Sequence, residues 1–432
     1  MFTSFRKTVE PLREAPRKQL PIPKKLPPVP SYVPEQFEPF TIPDNLEAVM
    51  SALTTPLSPN YQLPDMPEFP SDVKSAHPYV GGSRSGHERI QHLVESGSMT
   101  TYKDTRNGLL GLDFSTKLSA WLALGCVTAR QIHWYLIDFE DGKTDLGSSA
   151  QGYGKGENKG TAAVRFELLW RDYMRLCTRK FGPRLYRVSG YRNDENASWK
   201  YISSPFSKST DKKNRGGSND DNTHAAVLRF LQGQTGTGLI DASQRELFLT
   251  GYTSNRARQN VASYLAKHMS IDWRIGAEWY ETNLIDYDVS SNWGNWQYVA
   301  GVGNDPRGEQ RVFNPVKQAF YYDGKGEYVK AWVPELRGLG ESPQELMAVF
   351  QAWKMTEDEK KKLKLQGVEW VEKPLVRIDF HLNRRGGGGG GQRGRGKGNQ
   401  RGRGRGGGGG GGGRDKGKEG RTGNMAKAGF MG

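Results

Sequence analysis

Apolar residues recur at spacings of three and four through the middle of this 432-residue chain. Ile90, Leu93 and Val94 begin the pattern, and residues 162–181 carry its strongest example. Such spacing places apolar side chains on one face of an α-helix. No stretch alternates apolar and polar residues in the way that predicts a β-strand. The sequence therefore predicts an all-α fold.

Short polar residues mark where several of these helices are predicted to begin. Asp241 is predicted to cap a helix over 245–249, Ser254 one that continues through Leu265, and Asp272 one over 273–284. Their side chains can accept the backbone N–H groups that a first helical turn leaves unpaired. A further helix is predicted to begin near Ser115, with Thr128 starting the next one.

The two ends of the chain differ in composition from its middle. Proline is frequent over 11–80, and because it fixes φ and removes a donor, this stretch is predicted to be extended, within a connector region predicted over 1–80. The helical domain is predicted over 81–383. Residues 384–432 carry 13 Lys or Arg and 2 Asp or Glu among glycines, so this tail holds +11 of the formal charge of +15. A disordered tail with an anionic partner, such as RNA, is predicted.

Cysteine usage and hydropathy exclude some classes of protein. Cys126 and Cys177 lie in apolar helical patterns and are predicted to be buried, which favours neither a disulfide framework nor a zinc site. No run of 18 apolar residues predicts a membrane span, and the first residues lack the apolar core of a signal peptide. A soluble, intracellular protein without a metal is expected.

Four polar segments are candidates for a binding site. DFSTKLS (113–119) places three hydroxyls and a lysine where a loop enters a helix, a position that suits an anion. ELLWRDY (167–173) places Glu167, Trp170 and Arg171 on one helix face. Simpler explanations are a plain helix cap for the first segment and a surface Glu167–Arg171 ion pair for the second.

The other two segments lie further along the chain. TGYTSNRARQN (250–260) carries two arginines near a helix start, where they oppose the macrodipole and call for a carboxylate or an anionic ligand. LIDYDVSSNWGNWQY (284–298) combines two carboxylates, Asn292 and two tryptophans in a predicted glycine-containing loop, which is typical of a ligand-binding wall. A metal site is not predicted there, because no His or Cys lies nearby.

In order and spacing, these segments resemble the flavin-binding domain of the photolyase/cryptochrome family over about 102–336. ELLWRDYMRL, GYTSNRARQNVASYL and IDWRIGAEWYETNLIDYDVSSNWGNWQYVAGVGNDPR are similar to its DASH branch. The resemblance implies an all-helical domain that holds FAD in a U-shaped conformation.

The resemblance also implies which residues contact FAD. Those matched to the diphosphate and ribityl chain are Tyr102, Ser115, Thr116, Lys117, Leu118 and Ser119, with Arg171 matched to a basic residue near the same cofactor. Those matched to its rings are Asn255, Arg258, Asp286, Tyr287, Asp288 and Asn292. Arg258 is expected to pair with Asp286. Asn292 is expected to face flavin N5, where a neutral amide places no negative charge beside an anionic reduced flavin.

Substrate contacts are implied in the same way. Glu167 and Trp170 match residues that meet a pyrimidine dimer flipped out of its strand, Trp170 by stacking and Glu167 by hydrogen bonds. Gln259 is similar to the DASH branch, which prefers dimers in single-stranded DNA. Arg106 and Arg256 are expected to contact phosphates.

An electron route is implied only in part. Trp296 and Trp273 match the proximal and middle tryptophans of the family's photoreduction chain. The third would fall at Asp220, where there is no tryptophan, and Trp199 is the substitute that the sequence offers.

FTSFRKTVEP resembles the segment that leaves the family's N-terminal α/β domain, which holds a folate antenna (methenyltetrahydrofolate) in many DASH proteins. The chain is therefore expected to lack the antenna site and to expose one face of its helical domain, as a truncated gene model would.

The resemblance implies a monomer that uses light and reduced FAD to repair cyclobutane pyrimidine dimers, preferentially in single-stranded DNA. Two alternatives stay open: a blue-light receptor or nucleic-acid-binding regulator with little repair activity, and a fragment that binds no flavin. Nucleus, mitochondrion and chloroplast are not distinguished.

Overall fold

Helices form nearly all the regular structure of the described residues, where β-structure is confined to two isolated bridges, Lys200–Ile271 and Thr237–Gln351. The all-α prediction is confirmed. The computed structural model describes residues 2–20, 23–32, 34–35, 37, 41, 43–55, 67–77, 79–202, 221–305, 312–378 and 380. The predicted Gly/Arg tail and position 220 lie outside the described residues. Described residues as far as Ile378 belong to one compact unit.

The helices are named in chain order. In the first half they are α1 Phe2–Val9, α2 Leu46–Thr54, α3 Ser83–Glu95, α4 Ser98–Thr105, α5 Ser119–Ala123, α6 Ala129–Asp141 and α7 Lys159–Phe181. In the second half they are α8 Asp221–Leu231, α9 Gly238–Thr250, α10 Asn255–Ser263, α11 Trp273–Asn283, α12 Val289–Ala300, α13 Pro315–Tyr322, α14 Glu327–Trp332, α15 Pro343–Phe350, α16 Glu357–Lys362 and α17 Glu369–Glu372. A π-helical stretch, Tyr264–His268, continues α10. The helix α2 interrupts the stretch predicted to be extended, with Asn45 as its cap.

Most of the predicted helix starts are confirmed. Thr128 forms a capping box at α6, Ser254 Oγ accepts the Ala257 N–H at α10, and Asp272 Oδ1 accepts the Arg274 N–H at α11. The prediction for Asp241 is wrong, because this residue lies inside α9. Its buried carboxylate instead accepts the N–H groups of Thr235 and Gly236, at 2.6 and 3.0 Å, and so fixes the turn that precedes the helix.

The helix expected near Ser115 begins later than predicted. Lys117 has φ +53°, a left-handed conformation that a helix cannot include, so α5 starts at Ser119. The helix is short, and Cys126 lies beyond its end and is only half-buried. The buried-cysteine prediction is therefore confirmed for Cys177 on α7 and wrong for Cys126; both are free thiols.

The segment predicted as a glycine-containing loop over 284–298 is mostly helix. Asp288 accepts the Ser291 N–H and caps α12, which carries Asn292, Trp293 and Trp296. Gly294 suggested a loop because it lacks a side chain, but here it packs against Met174 of α7. The binding-wall residues are therefore held on a helix, which positions them more rigidly than a loop.

The longest helix, α7, crosses α4 closely at Gly160. A Cβ atom at that position would lie 2.0 Å from the Thr100 carbonyl oxygen and 2.3 Å from that of Met99. Glycine is thus what allows the two backbones to approach. In the part of the chain that the structure describes, no helix combines the length and apolar character needed to cross a bilayer.

Candidate functional site

A pocket lies between α4, α7, the segment before α5, the start of α10 and the loop before α12. Its lining residues are Tyr102, Arg106, Ser115, Thr116, Lys117, Leu118, Ser119, Glu167, Tyr252, Thr253, Asn255, Arg258 and Asp286. Nine of them are residues predicted to contact a cofactor, and two, Arg106 and Glu167, were predicted to face a substrate. Side chains from five distant parts of the sequence thus converge on one cavity.

The 115–119 segment forms one wall and is held from behind by Arg89. The guanidinium of this buried arginine donates to the Thr116 carbonyl oxygen at 3.1 Å and to Asp113 Oδ1 at 2.7 Å. Lys117 Nζ donates to the Gly111 carbonyl oxygen at 2.8 Å. Burial lowers the pKa of Lys117 to about 8, and the Arg89 guanidinium adds to the effect. An anionic ligand at this wall would relieve the excess positive charge.

On another wall, the expected pair between Arg258 and Asp286 forms, with 2.8 Å between Nη2 and Oδ2. Both side chains are almost fully buried, at 3% and 1% exposure. Burial acts to lower the pKa of Arg258, but the Asp286 carboxylate outweighs it and the pKa is raised. Asp286 Oδ1 has no hydrogen-bond partner among the described residues, so it can accept a bond from a ligand.

The surface ion pair Glu167–Arg171, one of the simpler explanations, does not form. Glu167 is buried and pairs with Arg106, which follows α4, while Arg171 Nη2 donates to the Leu122 carbonyl oxygen at 3.1 Å. Burial raises the pKa of Glu167, and the Arg106 charge opposes that shift. Glu167 Oε2 has no partner among the residues described, which leaves one carboxylate oxygen available to a bound molecule.

Beside the pocket, Trp170 is buried between several aromatic rings. Its indole N–H donates to Asn295 Oδ1 at 3.3 Å, and the Tyr298 ring lies perpendicular to it at 5.5 Å. Phe2 of α1 covers the indole, with 4.7 Å between the ring centroids. Tyr298 was not predicted, although it lies only two residues after Trp296.

The two remaining residues predicted to meet DNA lie on α10 and bond to each other. Arg256 Nη1 donates to Gln259 Oε1 at 2.9 Å, and Nη2 donates to Asn107 Oδ1 at 2.7 Å. The Arg256 guanidinium also lies over the Tyr322 ring, 4.7 Å from its centroid. These contacts hold Arg256 beside the segment that carries Arg106.

Four of the predicted cofactor residues do not line the pocket itself. Arg171 supports α5 through the Leu122 carbonyl oxygen. Tyr287 follows Asp286 in the chain and is half-buried, and Asp288 caps α12 and pairs with Arg175 at 2.7 Å. Asn292 is buried on α12, where its Nδ2 donates to the Ala277 carbonyl oxygen at 2.9 Å. Asn292 Oδ1 finds no partner within the described part of the chain and can accept a hydrogen bond from a ligand.

The tryptophans occupy a separate aromatic cluster on α11 and α12. Trp296 is fully buried against Tyr280, while Trp273 donates to the Val188 carbonyl oxygen. The ring that contacts Trp273 is Trp293, perpendicular at 5.8 Å, and Trp293 in turn contacts Tyr186 at 4.9 Å.

Tyr186 is 48% exposed, so a series of adjacent rings runs from Trp273 to the surface. Trp199, the suggested third tryptophan, instead donates to the Ala266 carbonyl oxygen. Trp293 was predicted as part of the binding wall and not of the electron route, because the family's spacing matches only Trp296 and Trp273.

Tyr252 and Thr253 also line the pocket and were missed, although they directly precede the predicted Asn255. The Tyr252 ring receives two cations, with Lys117 Nζ at 5.9 Å and the Arg258 guanidinium at 5.6 Å from its centroid. These contacts keep two positive charges at the pocket, which suits an anionic ligand.

The residues of the pocket fit FAD. The hydroxyls of Ser115, Thr116 and Ser119 beside Lys117 provide donors for a diphosphate. The unpartnered oxygen of Asp286 in the pocket provides an acceptor for an N–H group of a dinucleotide, and Asn292, which does not line the pocket, carries a second unpartnered oxygen. Among the described residues, no three His, Cys, Asp or Glu side chains are grouped as a metal site would require.

Comparison with known proteins points in the same direction. A family described as "FAD binding domain of DNA photolyase" matches residues 164–384. The putative mitochondrial cryptochrome DASH of Neurospora crassa is 52% identical over 401 residues, covering 89% of this chain and 52% of that protein. Cryptochrome DASH of Xenopus laevis is 41% identical over 301 residues, covering 69% of this chain and 51% of that protein. The chain spans about half the length of the curated relatives it matches.

A solved structure shows the same arrangement of helices. The crystal structure of a Synechocystis cryptochrome superimposes with a TM-score of 0.58 at 39% sequence identity, covering 72% of this chain and 56% of that one. The similarity therefore extends from sequence to fold.

Proposed function

Because the chain belongs to the photolyase/cryptochrome family, and is similar to its DASH members, we propose that it binds FAD and repairs cyclobutane pyrimidine dimers under blue light, preferentially in single-stranded DNA. The observation that carries the proposal is the pocket itself. It joins an anion-binding wall at 115–119 to the buried Arg258–Asp286 pair, and it places Glu167 at the same cavity.

Each group of residues has a definite task in this proposal. The 115–119 wall binds the diphosphate, and the Arg258–Asp286 pair orients the rings while burial excludes water. Bound FAD, when reduced and excited by light, supplies the electron that splits the dimer. Asn292 offers a neutral amide near the rings and so adds no negative charge where a reduced flavin is anionic.

Substrate recognition is assigned to the rim of the pocket. The free oxygen of Glu167 can bond to a base edge, and Trp170 offers an aromatic face for stacking. Trp170 is covered by Phe2, so we propose that α1 shifts when a base stacks there. Arg106 and Arg256 place positive charge next to this region, where a DNA backbone carries phosphates.

Electron supply to the flavin is assigned to the aromatic cluster. Trp296 and Trp273 are buried, and Trp293 and Tyr186 extend the series of rings to the surface. With FAD bound, these rings would carry electrons singly from an external thiol to the flavin, and two such transfers, with a proton from solvent, would provide the reduced state that repair requires.

Illumination of the purified chain with an oligonucleotide tests the activity. We expect a blue absorption band from bound flavin and loss of cyclobutane dimers from single-stranded DNA in light but not in darkness. Flavin bound with dimers persisting equally in light and darkness would reject repair and favour the alternative of a blue-light receptor. Glu167→Gln serves as a matched variant, since it keeps the volume of the side chain and changes the base-edge contact.

A second candidate function rests on the charge of residues 384–432. Thirteen cationic side chains among glycines favour electrostatic binding to RNA, so a nucleic-acid-binding regulator is the alternative. Removal of 384–432 should then weaken RNA binding and reduce its dependence on salt. RNA binding that is unchanged by this removal would show that the tail does not contribute to it.

An organellar location is proposed because the Neurospora crassa relative is named mitochondrial.

A further inference from the structure

His77 lies in the N-terminal stretch that was predicted to be a connector, yet it is buried at 5% exposure. Its backbone N–H donates to Ser75 Oγ at 3.1 Å, which fixes the local turn. Neither ring nitrogen completes a hydrogen bond of good geometry with any residue that the structure describes, and the Lys117 backbone carbonyl is the acceptor that the ring approaches. A buried imidazole in this state is rare, because polar atoms removed from water are normally paired.

The surroundings of His77 belong to the pocket. Its ring stacks on Trp121 at 5.6 Å and contacts Tyr252 at 4.9 Å, and Tyr252 is a lining residue of the pocket. The charged side chains that act on His77 are Asp286, Lys117 and Arg258, and all three also line the pocket. The histidine therefore adjoins the junction between the 115–119 wall and the Arg258–Asp286 pair.

The protonation state of His77 defines what it can bind. Burial lowers the pKa of His77 to about 4; the charges of Lys117 and Arg258 add to the effect, while the Asp286 carboxylate and the Lys117 backbone carbonyl oppose it. The ring is thus neutral at pH 7 and carries one N–H donor and one acceptor. A phenylalanine would fill the same aromatic stack without unpaired nitrogens, so packing alone gives no reason for a histidine here.

We propose that His77 is a binding residue of the pocket, whose ring N–H donates to an oxygen of the dinucleotide's diphosphate. This inference rests on the proposed function, because it takes the occupant to be FAD. The acceptor is assigned to the diphosphate because Lys117, a direct neighbour, belongs to the wall whose hydroxyls suit that group. The end of the proline-rich stretch is then a part of the ligand site.

FAD titration of the flavin-free full chain, followed by flavin fluorescence, tests the inference with the variant His77→Phe. A hydrogen bond to a charged group contributes about 1.5–3 kcal/mol, so we expect affinity for FAD to fall by roughly tenfold or more. We also expect the flavin-free variant to unfold at an equal or higher urea concentration, because two unpaired nitrogens are removed. The matched control is Tyr79→Phe, which removes a hydroxyl from the same aromatic cluster and should leave affinity unchanged.

Each result decides the inference. Equal FAD affinity in His77→Phe and the unchanged chain would overturn it while leaving the proposed function intact. Failure of the unchanged chain to bind FAD would reject both. Should His77→Phe not fold, the ring ¹⁵N shifts of histidine-labelled, unchanged protein decide instead. A shift of the His77 signals on FAD addition is expected, and no shift would overturn the inference.

Discussion

At the scale of single residues, the pocket depends on charges that are buried in pairs. Arg258 and Asp286 are nearly inaccessible to solvent, and the second oxygen of Asp286 stays unpaired within the described residues. Such a pair adds little net stability by itself, because the attraction between the two charges is offset by the free-energy cost of removing both from water. Its value here lies in holding a carboxylate oxygen in place for a ligand.

Removal of one partner of this pair should therefore be costly. Asp286→Asn leaves Arg258 as an uncompensated buried charge, and we expect the free energy of unfolding to fall by about 3 kcal/mol. Asp72→Asn is the control, because Asp72 pairs with Arg337 at 2.7 Å and the two side chains are 65% and 35% exposed. Urea unfolding should show a much smaller loss for the control. Equal losses would show that burial of the pair has no special cost.

A pH dependence should originate from Glu246 of α9. Burial raises the pKa of Glu246 to about 7, although the Tyr328 hydroxyl donates to its carboxylate at 2.6 Å. The folded state thus holds a proton that the unfolded state releases near pH 4.5, so the free energy of unfolding should fall as pH rises from 4.5 to 7. Above pH 7 this contribution is constant.

Glu246→Gln tests this assignment, because glutamine can accept the same hydrogen bond and has no proton to lose. Urea unfolding at pH 5, 6, 7 and 8 should show that the free energy of unfolding falls less steeply with rising pH in the variant than in the unchanged chain. Asp241 and Asp323, whose pKa values burial raises to about 6, contribute in the same direction in both proteins. Identical declines would assign the pH dependence to those residues alone.

Residue types and spacing predicted much of the pocket, and long-range pairing explains most of what they did not. The hydroxyls of 115–119 followed from the residues themselves, and the Arg258–Asp286 pair was implied by the family resemblance. The sequence could not predict that Glu167 pairs with Arg106 and not with Arg171. Arg106 is 61 positions away in the chain, and only the packing of α4 on α7 brings it near Glu167. His77 was missed for the same reason.

At the scale of elements, the crossing of α4 and α7 positions two pocket residues, Tyr102 and Arg106. The crossing depends on Gly160, where any side chain would overlap the backbone of α4. Helix caps were predictable because a cap is a local hydrogen bond. The role of Asp241 was not predictable, because its carboxylate bonds to a turn before the helix, and the conformation of that turn is set by the tertiary fold.

Gly160→Ala should separate the two helices. Alanine favours a helix by about 1 kcal/mol over glycine, but overlap with two carbonyl oxygens should outweigh this gain, and we expect a net loss of about 2 kcal/mol in stability. Affinity for FAD should fall as well, because Tyr102 and Arg106 move with α4. Gly294→Ala is the control, since its nearest neighbour is the flexible Met174 side chain at 3.0 Å. An unaltered Gly160→Ala protein would contradict the close crossing.

The arrangement of α11, α12 and Gly182–Tyr186 predicts the electron route. Trp293→Phe should slow the blue-light reduction of bound flavin by an added thiol, because it interrupts the rings between Trp273 and Tyr186. Trp199→Phe should leave the rate unchanged. Transient absorption after a laser flash measures both variants. If flavin reduction were slower in Trp199→Phe and unchanged in Trp293→Phe, the electron route would instead pass through Trp199, as the sequence suggested.

At the scale of the whole molecule, the described residues as far as Ile378 form one helical unit, and the pocket draws on side chains from Tyr102 to Asp286. The end of the proline-rich stretch joins this unit through His77. The spacing of apolar residues predicted the helical class, since helix periodicity is a local property. It did not predict that a segment rich in proline would supply a buried side chain to the site.

The proposed function depends on the binding of FAD in this pocket. Equilibrium dialysis of the full chain against FAD, read by the blue absorption band of the protein fraction, measures that binding directly. We expect one FAD per chain, with binding weakened in Asp286→Asn. Absence of FAD from folded protein, or binding that Asp286→Asn leaves unchanged, would contradict it.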